Sequence, residues 1–86
     1  MEIELTTDAL EDLKYWKKTG NNKILKRIKQ LLENIEVTPF DGIGKPEPLK
    51  ENLSGKWSRR IDREHRIIYT ISSQKITIYS LKGHYN

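Results

Sequence analysis

The chain has 86 residues, with 16 lysines and arginines against 12 aspartates and glutamates, a net charge of +4, and no cysteine. A single domain of this size buries roughly 60–65% of its unfolded surface, so its site is expected at the edge of a modest core rather than in a deep enclosed pocket. The missing thiols exclude disulfides, thiolate nucleophiles and cysteine-based zinc sites, and two histidines far apart in sequence with no close carboxylate cluster speak against a dedicated metal or other cofactor.

The chain opens on Met1-Glu2-Ile3-Glu4, which is acidic and lacks the apolar core of a signal peptide, and its longest apolar run is a few residues around Ile67-Ile68-Tyr69. A soluble, cytoplasmic protein without membrane contact is expected. Met1 to Leu5 alternates charged and apolar residues, the period of a half-buried strand. The period then changes. Asp8, with Glu11 three residues on, reads as the cap of a first helix near 8–18, with Leu10, Leu13 and Trp16 on one face and Gly20 as its stop. After Asn21-Asn22, apolar residues fall at Ile24, Ile28, Leu31, Leu32 and Ile35, while Lys23, Lys26, Arg27 and Lys29 take the wet face. This predicts a second helix ending before Thr38-Pro39.

Residues 38–56 carry three prolines and three glycines and read as an ordered loop with no regular element. Three strands are predicted beyond it, Trp57–Asp62, Arg66–Ile71 and Lys75–Leu81, with turns at Arg63-Glu64-His65 and Ser72-Ser73-Gln74. The order strand, two helices, three strands implies a single α+β domain over residues 1–86, with both helices on one face of a mostly antiparallel sheet. Residues 1–43 sum to a charge of −1, residues 44–66 to +3 and residues 67–86 to +2. The cationic surplus of the C-terminal half favours a polyanion partner.

Two stretches carry the chemistry. In Gly44-Lys45-Pro46-Glu47-Pro48-Leu49-Lys50 a carboxylate stands between two prolines that stiffen the backbone around it, and Asn52-Leu53-Ser54-Gly55-Lys56-Trp57-Ser58-Arg59-Arg60-Ile61 follows with cations and an indole. At the other end, Gly83-His84-Tyr85-Asn86 supplies an imidazole and an aromatic ring. An acid, a base, cations and a stacking ring on a small basic protein suggest chemistry on RNA.

The chain resembles the YoeB (Txe) toxins of bacterial type II toxin–antitoxin modules, within the RelE-like superfamily. The resemblance runs over nearly the whole length. It rests on Thr38-Pro39-Phe40, the Gly44–Lys50 segment, Asn52-Leu53-Ser54-Gly55, Trp57-Ser58-Arg59-Arg60-Ile61, Glu64-His65-Arg66 and His84-Tyr85. It implies the RelE-like microbial RNase fold and a ribosome-dependent endoribonuclease that cuts mRNA in the A site without a metal. It also implies neutralisation by a YefM/Axe-like antitoxin and, as is frequent in the family, a homodimer.

Metal-free RNA cleavage needs a base for the 2′-OH, a cation for the charge that builds on phosphorus, and an acid for the leaving 5′-oxygen. The resemblance assigns these to Glu47, Arg66 and His84, with Lys50, Arg59 and Tyr85 as substrate contacts and Lys45 and Arg60 as weaker ones. Each has a plainer reading. Glu47 by itself is a solvated acid in a turn, Arg66 an ion-pair partner of Glu64 or Asp62, His84 a tail residue, and Tyr85 a ring packed against Trp57 or the sheet. His65, in a turn, reads as structural. Two departures from the family pattern stand out: Lys82 precedes the His-Tyr pair where tyrosine or arginine is usual, and Asn86 follows Tyr85, which is expected to displace the terminal carboxylate and alter the pH dependence of His84.

Two other functions remain at this point. A non-catalytic ribosome- or RNA-binding inhibitor of translation would use the same cations without needing Glu47 or His84. A DNA reader built on the second helix is disfavoured by the short basic face of that helix and by Glu33 and Glu36 near its end.

Overall fold

The computed structural model describes residues 1–83. They form β1 (Glu2–Leu5), α1 (Thr7–Lys18), α2 (Asn22–Val37), β2 (Glu47–Pro48), a single 3-10 turn (Glu51–Leu53), β3 (Trp57–Arg60), β4 (Arg66–Ser72) and β5 (Lys75–Ser80). The sheet runs β1-β5-β4-β3-β2. β1 lies parallel to β5, and the other three pairings are antiparallel. This is the expected α+β arrangement, a RelE-like fold. No helix among the described residues is long and apolar enough to cross a membrane.

The cap of α1 is Thr6, not Asp8: the Thr6 hydroxyl accepts from the Ala9 amide at 3.2 Å, and Asp8 instead supplies negative charge to the first turn, where it complements the helix dipole. Gly20 ends the helix as its spacing predicts. At φ +69°, it lets its own amide reach the Lys17 carbonyl and the Asn21 amide reach Trp16, which satisfies two end carbonyls. Asn21 then caps α2 through the Ile24 amide at 3.1 Å.

Ile24, Ile28, Leu31 and Ile35 form the buried stripe of α2, facing Ile67, Tyr69, Ile76 and Ile78 from alternate positions of β4 and β5. Each such isoleucine or leucine contributes about 1.5–3 kcal/mol by leaving water. Among the described residues, no helix lies over the opposite face of the sheet. Leu49 and Ile68 are buried apart from the helix-side core.

Two expectations need correction here. The 38–56 segment is not devoid of regular structure: Glu47 and Pro48 pair with Ser58 and Trp57 as an edge strand, extended by the Leu49 amide donating to the Lys56 carbonyl. Proline is tolerated there because an edge strand leaves one side of its ladder unpaired. β3 also stops at Arg60, because the Asp62 carboxylate accepts from the amides of Glu64 and His65 and folds the chain into a turn.

Candidate active site

Adjacent side chains of a strand point to opposite faces, so Arg59 and Arg60 diverge. Arg59 lies on the helix side and is fully buried. Its Nε donates to the Tyr69 hydroxyl at 3.0 Å, Nη1 to Asn34 Oδ1 and the Ile43 carbonyl, and Nη2 to the carbonyls of Thr38 and Asp41. Five bonds use the full donor capacity of a guanidinium. Arg59 is therefore not the phosphate contact expected from the sequence. It has neither exposure nor a free donor, and it fastens the 38–43 segment to the sheet.

The segment is pressed down at further points. The Tyr69 hydroxyl donates to the Pro39 carbonyl at 2.8 Å, and burial pushes the pKa of this phenol up, against an opposing pull from the Arg59 hydrogen bond and charge. Asn34 Oδ1 also accepts from the Ile43 amide, and Phe40 stacks at a tilt on Trp57 with ring centroids 4.8 Å apart. Gly44 has to be glycine. Its φ is +82°, and a Cβ there would meet Leu31 Cδ2 at 2.8 Å and the Arg60 carbonyl at 3.2 Å, while its own carbonyl takes the Arg60 amide at 2.7 Å. The chain thus leaves a rigid base at Gly44 and enters Pro46-Glu47-Pro48.

On the uncovered face the register brings the predicted acid and cations together. Glu47 pairs across β3 with Ser58, Ser58 with Ile68, and, one pleat along, Arg60 with Arg66. All of these share one face. Strand spacing puts the Glu47 and Arg66 Cα atoms about 12 Å apart, a gap that a glutamate and an arginine reaching toward each other span around one phosphate. Glu47 is exposed and makes no ion pair with a described residue.

Arg66 is not the ion-pair partner of Glu64 or Asp62. Its Nη1 instead donates to the backbone carbonyls of Asp62 at 2.9 Å and His65 at 3.2 Å. The carbonyls anchor one corner of the guanidinium, and Nε and Nη2 make no hydrogen bond to any described residue, leaving an edge suited to a bidentate oxyanion. Arg60, which the sequence ranked below Arg59, is the exposed arginine of the pair and stands directly opposite Arg66. Strand alternation separates the two arginines, but which of them faces the core follows only from the pairing of β3 with β4. Lys50 is exposed at the residue before the 3-10 turn, and Lys45 is exposed at φ +53° between Gly44 and Pro46.

His65 is structural, as its turn position predicts: Nδ1 accepts from the Gly83 amide at 2.8 Å, and the ring packs edge-on against Trp16 with centroids 4.8 Å apart. His84 and Tyr85 lie outside the described residues.

The family model described as the YoeB-like toxin of bacterial type II toxin-antitoxin systems matches residues 5–85. A curated Toxin YoeB from Synechocystis sp. is 56% identical over 85 residues, spanning 99% of this chain and 98% of its own. Among solved structures, the YoeB dimer from Staphylococcus aureus superposes with a TM-score of 0.91 at 44% identity, and the YoeB-YefM complex from the same organism with 0.90 at 45% identity. Each covers 99% of this chain and 98% of its own. Matched along its length by the family model, and at over half its positions by a curated member, the chain belongs to the YoeB family of type II toxin–antitoxin toxins.

Proposed function

We propose that this protein is a ribosome-dependent endoribonuclease that cleaves mRNA in the A site and is silenced by a YefM-like antitoxin. The carrying observation is the shared face of Glu47, Arg60 and Arg66, an exposed carboxylate with no ion pair among the described residues on the same face as two cations in a fixed register. In this reading the Glu47 carboxylate takes the proton from a 2′-OH. The resulting oxygen attacks the adjacent phosphorus, and Arg66, backed by Arg60, stabilises the charge on the non-bridging oxygens. His84 gives a proton to the departing 5′-oxygen. The products are a 2′,3′-cyclic phosphate and a 5′-hydroxyl, with one proton taken and one returned.

The face is shallow and offers little to orient a free strand, so the ribosome supplies the positioning, an effect that reaches about 7–11 kcal/mol in well-ordered reactions. Lys50 and Lys45 draw in the phosphate backbone, and Tyr85 stacks on a base. An acidic segment of the antitoxin would meet the same cations. Primer extension on mRNA in a purified translation system, with and without ribosomes and with Glu47→Gln alongside, tests the reading. Site-specific cuts that require both ribosomes and Glu47 are expected. Translation arrest by Glu47→Gln without cleavage in either protein would favour inhibition by occupancy, and equal cutting of naked mRNA would remove the ribosome from the mechanism.

A further inference from the structure

We propose that His65 is a positioning residue for the reaction: through Nδ1 it latches the backbone at Gly83, and with it the placement of the acid that follows in the chain, to the turn that carries Arg66. The inference rests on the reading of His84 as the general acid.

Each of the described residues after β5, 81 to 83, is tied down by a different partner. The Leu81 amide donates to Asp12 Oδ2 at 3.0 Å, its carbonyl accepts from Trp16 Nε1 at 2.9 Å, and its side chain is buried. Lys82 sets its ammonium 4.0 Å from the centre of the Tyr15 ring. Gly83 is held on both sides, its amide by His65 Nδ1 at 2.8 Å and its carbonyl by the Arg66 amide at 2.9 Å. α1 therefore grips the first two residues, and the turn before β4 grips the third.

The turn is itself rigid. The Asp62 carboxylate accepts from the His65 amide at 2.7 Å, the Ile61 amide donates to the His65 carbonyl at 2.9 Å, and the same carbonyl takes Arg66 Nη1 at 3.2 Å. One residue thus holds the guanidinium with its carbonyl and the tail with its ring. Because Nδ1 accepts a hydrogen bond, the neutral ring carries its proton on Nε2, which lies 4.0 Å from Glu64 Oε2. Gly83 is the residue bonded to His84, so freeing it releases the last described tie between the chain that leads to the acid and the turn that carries Arg66. Misplacement by about 1 Å costs on the order of 100-fold in rate.

Two substitutions separate the latch from simple packing. His65→Phe keeps a ring against Trp16 and removes the acceptor, whereas His65→Asn loses the ring and returns an oxygen near the position of Nδ1. Single-turnover cleavage on ribosomes, with ribosome affinity measured separately, is expected to show His65→Phe slower by about 10- to 100-fold at unchanged affinity, and His65→Asn within about threefold of the parent. In a His84→Ala background, His65→Phe should cause no further loss. Equal rates for His65→Phe and the parent, equal losses in both His65 variants, or full additivity with His84→Ala would overturn the proposal.

Amide exchange on the unsubstituted protein, read by NMR, checks the bond without relying on variant folding. The Gly83 amide should be protected, and exchange as fast as that of exposed loop amides would show that no latch exists. Wild-type cleavage by His84→Ala alongside a protected Gly83 would instead defeat the acid assignment while leaving the bond in place.

Discussion

Arg59 and Arg60 are neighbours of identical chemistry with opposite employment. Arg59 is buried, bonded at every donor and surrounded by carbonyls, so it acts as a cross-link between α2, the proline-rich loop and β4. Arg60 projects from the other side of the strand, beside Arg66 and one pleat from the row holding Glu47. The contrast teaches that in a two-faced sheet a basic residue's role follows its parity and not its position in a motif. It also couples the faces: the buried arginine fixes the loop whose end delivers the exposed carboxylate.

The sharpest way to break this contrast is to exchange the fates of the two residues. Arg59→Ala should destabilise the fold by about 3–5 kcal/mol in urea denaturation, since it leaves several buried acceptors without donors. Arg60→Ala should stay within about 0.5 kcal/mol of the parent. A stable, fully active Arg59→Ala would show that the network is incidental. On the uncovered face, Arg66→Ala should lower single-turnover cleavage by roughly 100-fold while the melting temperature moves little, because the guanidinium is needed where charge develops on phosphorus. A change confined to binding would move Arg66 into the class of backbone contacts.

Tyr69→Phe sharpens the buried side. It removes the hydroxyl that links Arg59 Nε to the Pro39 carbonyl, and should cost about 1–2 kcal/mol. It should also remove a pH dependence. Burial raises the folded-state pKa of this phenol above its unfolded value near 10, so the native state holds the proton more tightly. The associated stability is complete below about pH 10 and is lost as pH climbs through the folded value. Denaturation midpoints measured between pH 8 and pH 11, on a scale of about one unit per step, should converge for the two proteins at the alkaline end. The smallest effect is expected for Lys50→Ala, an exposed cation whose loss should weaken RNA binding at low salt and reduce the slope of affinity against salt by about one charge. A salt-independent loss of rate would assign Lys50 to the chemistry.

Much of this arrangement was legible. The 3.6-residue stripe from Ile24 to Ile35 specified α2 to within a residue or two, and Gly20 with Asn21 marked the break between the helices, because caps and periodicity are local physics. The candidate site residues Glu47 and Arg66 came from the motif, and strand pairing puts them on one face. The hidden parts were those in which one side chain answers a distant one. Asp8 has the spacing of a cap, yet Thr6 is the residue that reaches the Ala9 amide, and Arg59 has the setting of a phosphate ligand, yet Asn34 and three loop carbonyls surround it. No local pattern announces such a cluster, whose members lie up to 25 residues apart.

By itself the sequence determined the two helices, four of the five strands, their order and the chemical inventory, since hydrophobic period, turn residues and residue type act over a few positions and survive any packing. Tertiary structure alone decided which arginine serves the core and which the surface, that Glu47 belongs to an edge strand, and that His65 and α1 hold the chain at 81–83. Those outcomes depend on strand register and on long-range hydrogen bonds, and a shift of register by one residue would turn a strand's side chains, those of Arg59 and Arg60 among them, to the other face.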